Sequence, residues 1–164
     1  MKVAIIMGST TDLKVMQDAA TSLKEFGIPY HIEIISAHRD PEKMVKFAKT
    51  ARDRGFSLII AGAGAAAHLP GMVACLTHLP VIGVPIQIGK MKGIDALLSI
   101  AQMPKGIPVA TVAVDNATNA GILAARILGV SNPKIEKKLL KFQKSQISKV
   151  KKMNQELKKK KLTR

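Results

Sequence analysis

Residues 55–89 read GFSLIIAGAGAAAHLPGMVACLTHLPVIGVPIQIG, and between Arg54 and Lys90 there is no Asp, Glu, Lys or Arg. A membrane helix would need about 18 or more clean apolar residues in a row. This stretch is instead broken by Pro70, Pro80, Pro85, six glycines, His68 and His78. A central strand of a parallel sheet is buried on both faces and reads as apolar without alternation. The stretch therefore holds two such strands, Leu58–Ala61 and Val81–Val84, separated by a Gly/Ala loop and a short helix.

The flanking sequence repeats the alternation. Val3–Met7 is an apolar run ending in Gly8-Ser9-Thr10-Thr11-Asp12, and Leu13, Met16, Ala20 and Leu23 then recur at helical spacing up to a C-capping Gly27. Tyr30–Ile35 is the next strand. After Ser36-Ala37-His38-Arg39-Asp40, Asp40 as N-cap and Pro41 at the first position start a helix through Met44, Phe47, Ala48 and Ala51 that ends at Gly55. Ile94–Ala101 reads as helix, Val109–Val114 as strand and Asn119–Leu128 as helix. Strands alternating with helices at this spacing predict an α/β chain. It should be a single three-layer domain, an open parallel sheet of about five strands with helices on both faces, flavodoxin-like or Rossmann-like. The expected division is residues 1–130 as this domain and residues 131–164 as a basic amphipathic C-terminal helix.

Composition narrows the partners. With 164 residues and 47% hydrophobic content the chain has enough apolar side chains for one buried core. The net charge of +15 suggests nucleic acid until it is divided along the chain. Residues 131–164 hold 13 basic and 2 acidic residues, whereas residues 1–130 hold 13 basic and 9 acidic ones. The basicity belongs to the tail. One cysteine, Cys75, excludes an internal disulfide and a Cys-built zinc site, and its neighbours Val73, Ala74 and Leu76 predict a small core residue. His31 and His78 lack acidic or Cys partners at ligand spacing and read as structural, so no metal is expected. No secretory signal precedes KVAIIM, and a cytoplasmic, soluble protein is the expectation.

Ligands of open parallel sheets bind beyond the carboxyl ends of the strands. Three loops there carry chemistry. Gly8–Asp12 offers a glycine, hydroxyls and a helix start, which together suit a phosphate, although Asp12 or Thr11 serving as an ordinary N-cap explains it equally well. Ser36–Asp40 brings a forked cation, Arg39, beside an imidazole, His38. Gly62-x-Gly64-x-x-Ala67 resembles the dinucleotide fingerprint, but the acid expected about 20 residues on is absent and Asp95 comes too late. NAD is therefore excluded, leaving a loop of small residues that lets backbone approach a flat ligand.

Taken in order, MGSTTD (7–12), SAHRDP (36–41), AGAGAAAHLPGM (61–72), PVIGVPIQ (80–87) and QMPKGIPV (102–109) strongly resemble the phosphoribosylaminoimidazole carboxylase catalytic-subunit family of purine biosynthesis over about residues 2–130. The Ala67-His68-Leu69-Pro70-Gly71 form of the Gly-rich loop resembles its bacterial mutase class. The resemblance implies conversion of N5-carboxyaminoimidazole ribonucleotide to its 4-carboxy isomer, without metal or organic cofactor. It further implies that Ser9, Asp12, Ser36 and Arg39 hold ribose and phosphate, that His38 is the acid/base, and that Gly64, Ala65 and His68 line the imidazole and carboxyl pocket. Thr11, Asp40 and Ala65 stand where the family usually has Ser, Thr and a second Gly. Competing readings are direct carboxylation of aminoimidazole ribonucleotide by CO2, a non-catalytic nucleotide-binding module, and nucleic-acid binding through the tail.

In that tail Asn132 and Pro133 signal a helix start, and Ile135, Leu139, Phe142, Val150, Met153 and Leu157 form one apolar stripe, with Gln146 or Ile147 filling the gap. The stripe must be buried, and the resemblance points to a homo-octamer whose C-terminal helices pack on neighbouring subunits. An RNA- or membrane-binding arm is the rival, disfavoured because Phe142 alone is there for bases to stack on. Lys158–Lys161 are expected to be a frayed, solvated end.

Overall fold

The structure, a computed structural model, describes residues 1–160. Five strands, β1 (Lys2–Met7), β2 (Tyr30–Ile34), β3 (Phe56–Gly64), β4 (Val81–Ile86) and β5 (Ala110–Thr111), form one sheet in the order β2-β1-β3-β4-β5. All four pairings are parallel. This is the flavodoxin-like order, in which the chain runs to one side of β1 and then returns to the other.

Helices cover both faces. α1 (Leu13–Phe26) and α5 (Ala117–Gly129) bury one face through Met16, Leu23, Ala120 and Ala124, packed against Val3, Ile5, Leu58 and Ile60. α2 (Pro41–Thr50), α3 (Leu69–Ala74) and α4 (Ile94–Ala101) bury the other through Met44, Phe47, Leu69 and Ile100, packed against Ile6, Ile59 and Val81. α1 ends at Gly27, whose left-handed φ of 71° turns its N–H back to the carbonyls of Leu23 and Lys24. At the sheet edge Glu33 accepts from His31 at 3.1 Å and from Lys43 at 3.0 Å, with Arg54 also within 3.7 Å. Burial alone would push the Glu33 carboxyl up, but these bonds and charges outweigh it and hold it below its ordinary range.

Several expectations need correction. β3 runs on through Gly62-Ala63-Gly64, expected as loop, because these residues pair with β4, Ala63 opposite Pro85 and Gly64 opposite Ile86. Gly62 is needed there for packing: a Cβ on it would lie 2.2 Å from the Met16 sulfur of α1. β5 shrinks from the expected Val109–Val114 to Ala110–Thr111 because it is an edge strand that pairs only with β4. Cys75 is exposed rather than in the core, since it follows the last turn of α3.

α6 (Pro133–Lys159) starts on the expected Asn132 cap, whose side chain accepts from the N–H groups of Lys134 and Ile135. Its first turns seat Ile135, Leu139 and Phe142 against the α1/α5 layer, with Phe142 edge-on to Phe26 at 5.7 Å between centroids. Farther along, Ile147, Val150, Met153 and Leu157 are exposed. Lys158 and Lys159, expected as part of a frayed end, are still helical, and Lys161 lies outside the described residues. No helix among the described residues is long and apolar enough to cross a membrane.

Candidate active site

β1 and β3 are neighbours whose following connections leave in opposite directions, and a crevice opens between their carboxyl ends. A cleft of about 320 Å3 occupies it, walled by the loops after β1, β2, β3 and β4. Ser9, Asp12, Ser36, His38, Arg39 and Gly64 all line this cleft although up to 55 positions separate them in sequence.

The first loop is a cap rather than an open cradle. Ser9 caps a 3-10 turn (Thr10–Asp12), its side chain accepting from the Thr11 N–H while the Ser9 N–H donates to Asp12 Oδ2 at 2.9 Å. Ser9 is thus the side-chain cap of this turn and Asp12 its reciprocal partner, while Asp12 also stands at the N-cap position of α1, as the sequence suggested, without a capping bond of its own to that helix. Asp12 is only 3% exposed. Burial pushes its carboxyl up, and the bonds from Ser9 and Thr11 and the charge of Arg39 only partly offset this. A buried carboxylate is a poor neighbour for phosphate and a good acceptor for sugar hydroxyls.

The second loop carries the cation. The Arg39 Nε donates to Ser36 Oγ at 3.1 Å, and its Nη2 donates to the Gly8 carbonyl. The guanidinium therefore bridges the β1 and β2 loops before any ligand arrives, fixed in orientation with donors to spare. Asp40 caps α2 by accepting from the Lys43 N–H at 3.1 Å.

The third loop meets the second. His68, just before α3, places its Nδ1 2.9 Å from His38 Nε2. Ala65 stands at a φ of 52°, the left-handed region that disfavours any side chain. It does not itself line the cleft, whereas its neighbours Gly64 and Ala66 do. The apolar side of the cleft is Ala63, Ala66, Leu69 and Ile88. Sequence reasoning did not single out Ile88. Its signal was position alone, two residues past β4 and beyond the carboxyl edge. Among the described residues no three His, Cys, Asp or Glu side chains gather as metal ligands.

Fold and cleft together define a class: a parallel α/β protein with a cationic, imidazole-bearing cleft at the switch point of its sheet. Comparison with known proteins narrows it. The family model described as AIR carboxylase matches residues 2–149. The N5-carboxyaminoimidazole ribonucleotide mutase of Pyrococcus horikoshii is 61% identical over 148 residues, covering 90% of this chain and 84% of that one. Its counterpart from Thermotoga maritima is 60% identical over 141 residues, 86% of this chain and 82% of that one. The crystal structure of Treponema denticola PurE superposes with a TM-score of 0.88 at 32% identity, covering 96% and 98% of the two chains. The chain belongs to the AIR carboxylase family.

Proposed function

We propose that this chain is an N5-carboxyaminoimidazole ribonucleotide mutase, converting that substrate to 4-carboxy-5-aminoimidazole ribonucleotide in purine biosynthesis. The observation that carries the reading is the identity of about 60%, over more than four-fifths of both chains, to two relatives bearing that name. The cleft supports it with a bridged cation, a buried carboxylate and a paired imidazole.

The assigned roles follow side-chain chemistry. Arg39, oriented by Ser36, takes the substrate phosphate as a forked donor. Asp12 accepts from the ribose hydroxyls, and Ser9 holds its carboxylate in place. His38 is the acid/base. The carboxyl leaves the exocyclic nitrogen as CO2, the bond pair stays on nitrogen, and His38 supplies the proton. Ring carbon C4 then attacks the CO2 with its enamine electrons, and its proton returns to His38. The reaction is an isomerisation and calls for no external oxidant, reductant or cofactor. Gly64 walls the pocket for the imidazole and carboxyl groups directly, Ala65 shapes it through the backbone beside Gly64, and His68 acts through its contact with His38. An imidazole serves this exchange because its unperturbed pKa of about 6.5 allows both protonation states near neutrality.

Residues 1–130 form the catalytic unit, and 131–164 an arm for self-association. We place the protein in the cytoplasm as a homo-octamer; the uncovered apolar residues Val150, Met153 and Leu157 on α6 support self-association. Direct carboxylation of aminoimidazole ribonucleotide is the rival chemistry. Purified protein given the N5-carboxy substrate without added bicarbonate should form the 4-carboxy product. Turnover seen only with aminoimidazole ribonucleotide and CO2 would overturn the mutase reading.

A further inference from the structure

The loop that follows β4 carries two large exposed apolar side chains, Ile88 and Met91, of which Ile88 lines the cleft. Ile88 is 41% exposed, and the residues after it include Lys90 and Lys92. Yet its side chain is not free. A Cβ built on Gly64 would lie 2.3 Å from Ile88 Cδ1 and 2.5 Å from its Cγ1, so Ile88 fills the space a side chain on Gly64 would take. It sits on the bare backbone of the third loop and lines the same cleft as His38.

The backbone under Ile88 is held at both ends. Asp115, at a left-handed φ of 56°, accepts from the Gln87 N–H through Oδ1 at 2.9 Å. Its own N–H donates to the Pro85 carbonyl, also at 2.9 Å. At the far end a Cβ on Gly93 would lie 2.5 Å from Val114 Cγ1, so the loop closes tightly against the same β5–α5 connection. The left-handed region is sterically unfavourable for a residue that carries a Cβ. Here that strain accompanies two bonds that fix where Ile88 falls.

We propose that Ile88, seated on Gly64, is the wall that keeps CO2 in the cleft between its release from nitrogen and its capture by C4. The inference rests on the mutase reading above. CO2 is small and apolar and makes no directional contact strong enough to hold it, so only walls that exclude water and block exit retain it. Ala63, Ala66 and Leu69 wall one side, and Ile88 is the apolar residue contributed from the β4 side. Asp115 is a positioning residue that acts through the backbone of Gln87.

The test uses substrate carrying carbon-13 in its N5-carboxyl group, turned over by the full-length protein in unlabelled bicarbonate. The wild type should keep most of the label in the product. Ile88→Ser should lose label several-fold more often and release aminoimidazole ribonucleotide, with KM nearly unchanged, and Ile88→Val should restore retention. Asp115→Ala should show the same leak more weakly. Retention in Ile88→Ser equal to wild type overturns the inference while leaving the mutase reading intact. So does a leak that appears only together with a fall in oligomer mass, which would make Ile88 an interface residue. Complete loss of label by the wild type itself would overturn the trapping step and this inference with it.

Discussion

His38 Nε2 lies 2.9 Å from His68 Nδ1, with the two rings nearly perpendicular at 88°. One ring must present an N–H and the other a lone pair, because two N–H groups cannot face each other at that distance. The pair thus couples the tautomers of the two imidazoles, and His68 orients the ring to which the proposed function gives the proton. His38→Asn should bind nucleotide nearly as before and lose almost all turnover. His68→Ala, which leaves the proton carrier but removes its partner, should lower kcat by less and leave KM close to wild type. Steady-state kinetics with a separate binding titration decide it. His38→Asn activity within about tenfold of wild type, a loss of no more than about 1.4 kcal/mol, would exclude His38 as the acid/base.

Arg39 is a second, separable role. Under the proposed function its bridge to Ser36 and Gly8 would orient a charge-assisted contact to phosphate. Arg39→Ala should therefore act mainly on binding, costing about 1.5–3 kcal/mol, roughly ten- to a hundred-fold in affinity. Unchanged affinity with collapsed turnover would reverse the assignments of Arg39 and His38.

Much of this arrangement was legible in the sequence, and the reasons are local. Capping signals set α2 at Asp40-Pro41 and α6 at Asn132-Pro133, and both caps form. The charge-free run over residues 55–89 correctly marked β3 and β4 as buried strands. What was hidden depends on tertiary pairing. Gly62–Gly64 looked like loop because glycine has low strand propensity, whereas pairing with Val84, Pro85 and Ile86 of β4 makes it strand. Ile88 was hidden for the opposite reason, an apolar residue in an apolar run, meaningful only once Gly64 is found beneath it.

Ala65 tests how much strain the third loop stores. At a φ of 52° its methyl group costs roughly 1–2 kcal/mol, partly offset by the greater unfolded-state entropy of glycine, about 0.5–1 kcal/mol. Ala65→Gly should raise Tm slightly and Ala65→Val lower it, since a β-branched side chain tolerates this backbone least. Thermal denaturation giving the order Gly, Ala, Val supports the strain. The reverse order excludes it.

In the proposed function Asp12 trades stability for binding. Its folded pKa lies above the ordinary 3.8, so folding disfavours the ionised form relative to the unfolded chain. The sign follows: the penalty is absent below about 3.8, grows as pH rises through the folded value, and is complete at neutrality. Asp12→Asn should raise Tm at pH 7, lose that gain as pH falls towards 3.8, and bind the ribonucleotide more weakly. A lower Tm at pH 7 would mean that its hydrogen bonds outweigh its burial.

The C-terminal helix divides into parts with separate expected effects. Ile135, Leu139 and Phe142 cover the α1/α5 layer of their own chain, so ending the protein after Leu128 removes intrachain packing and should lower Tm at any concentration. Ending it after Ser145 keeps that cover and removes only the projecting turns with Ile147, Val150, Met153 and Leu157, which are 43–59% exposed. A stripe of this kind costs little to lose unless another copy buries it, at about 25 cal/mol per Å2 of apolar surface. The shorter deletion should therefore lower the oligomer mass in about 150 mM salt, where the Debye length is about 8 Å and loose lysine–phosphate attraction is largely screened. Light scattering of both truncations against the full chain measures it. If the chain ending at Ser145 keeps its full mass and stability but loses tight, salt-resistant binding to RNA, the arm serves nucleic acid and not assembly.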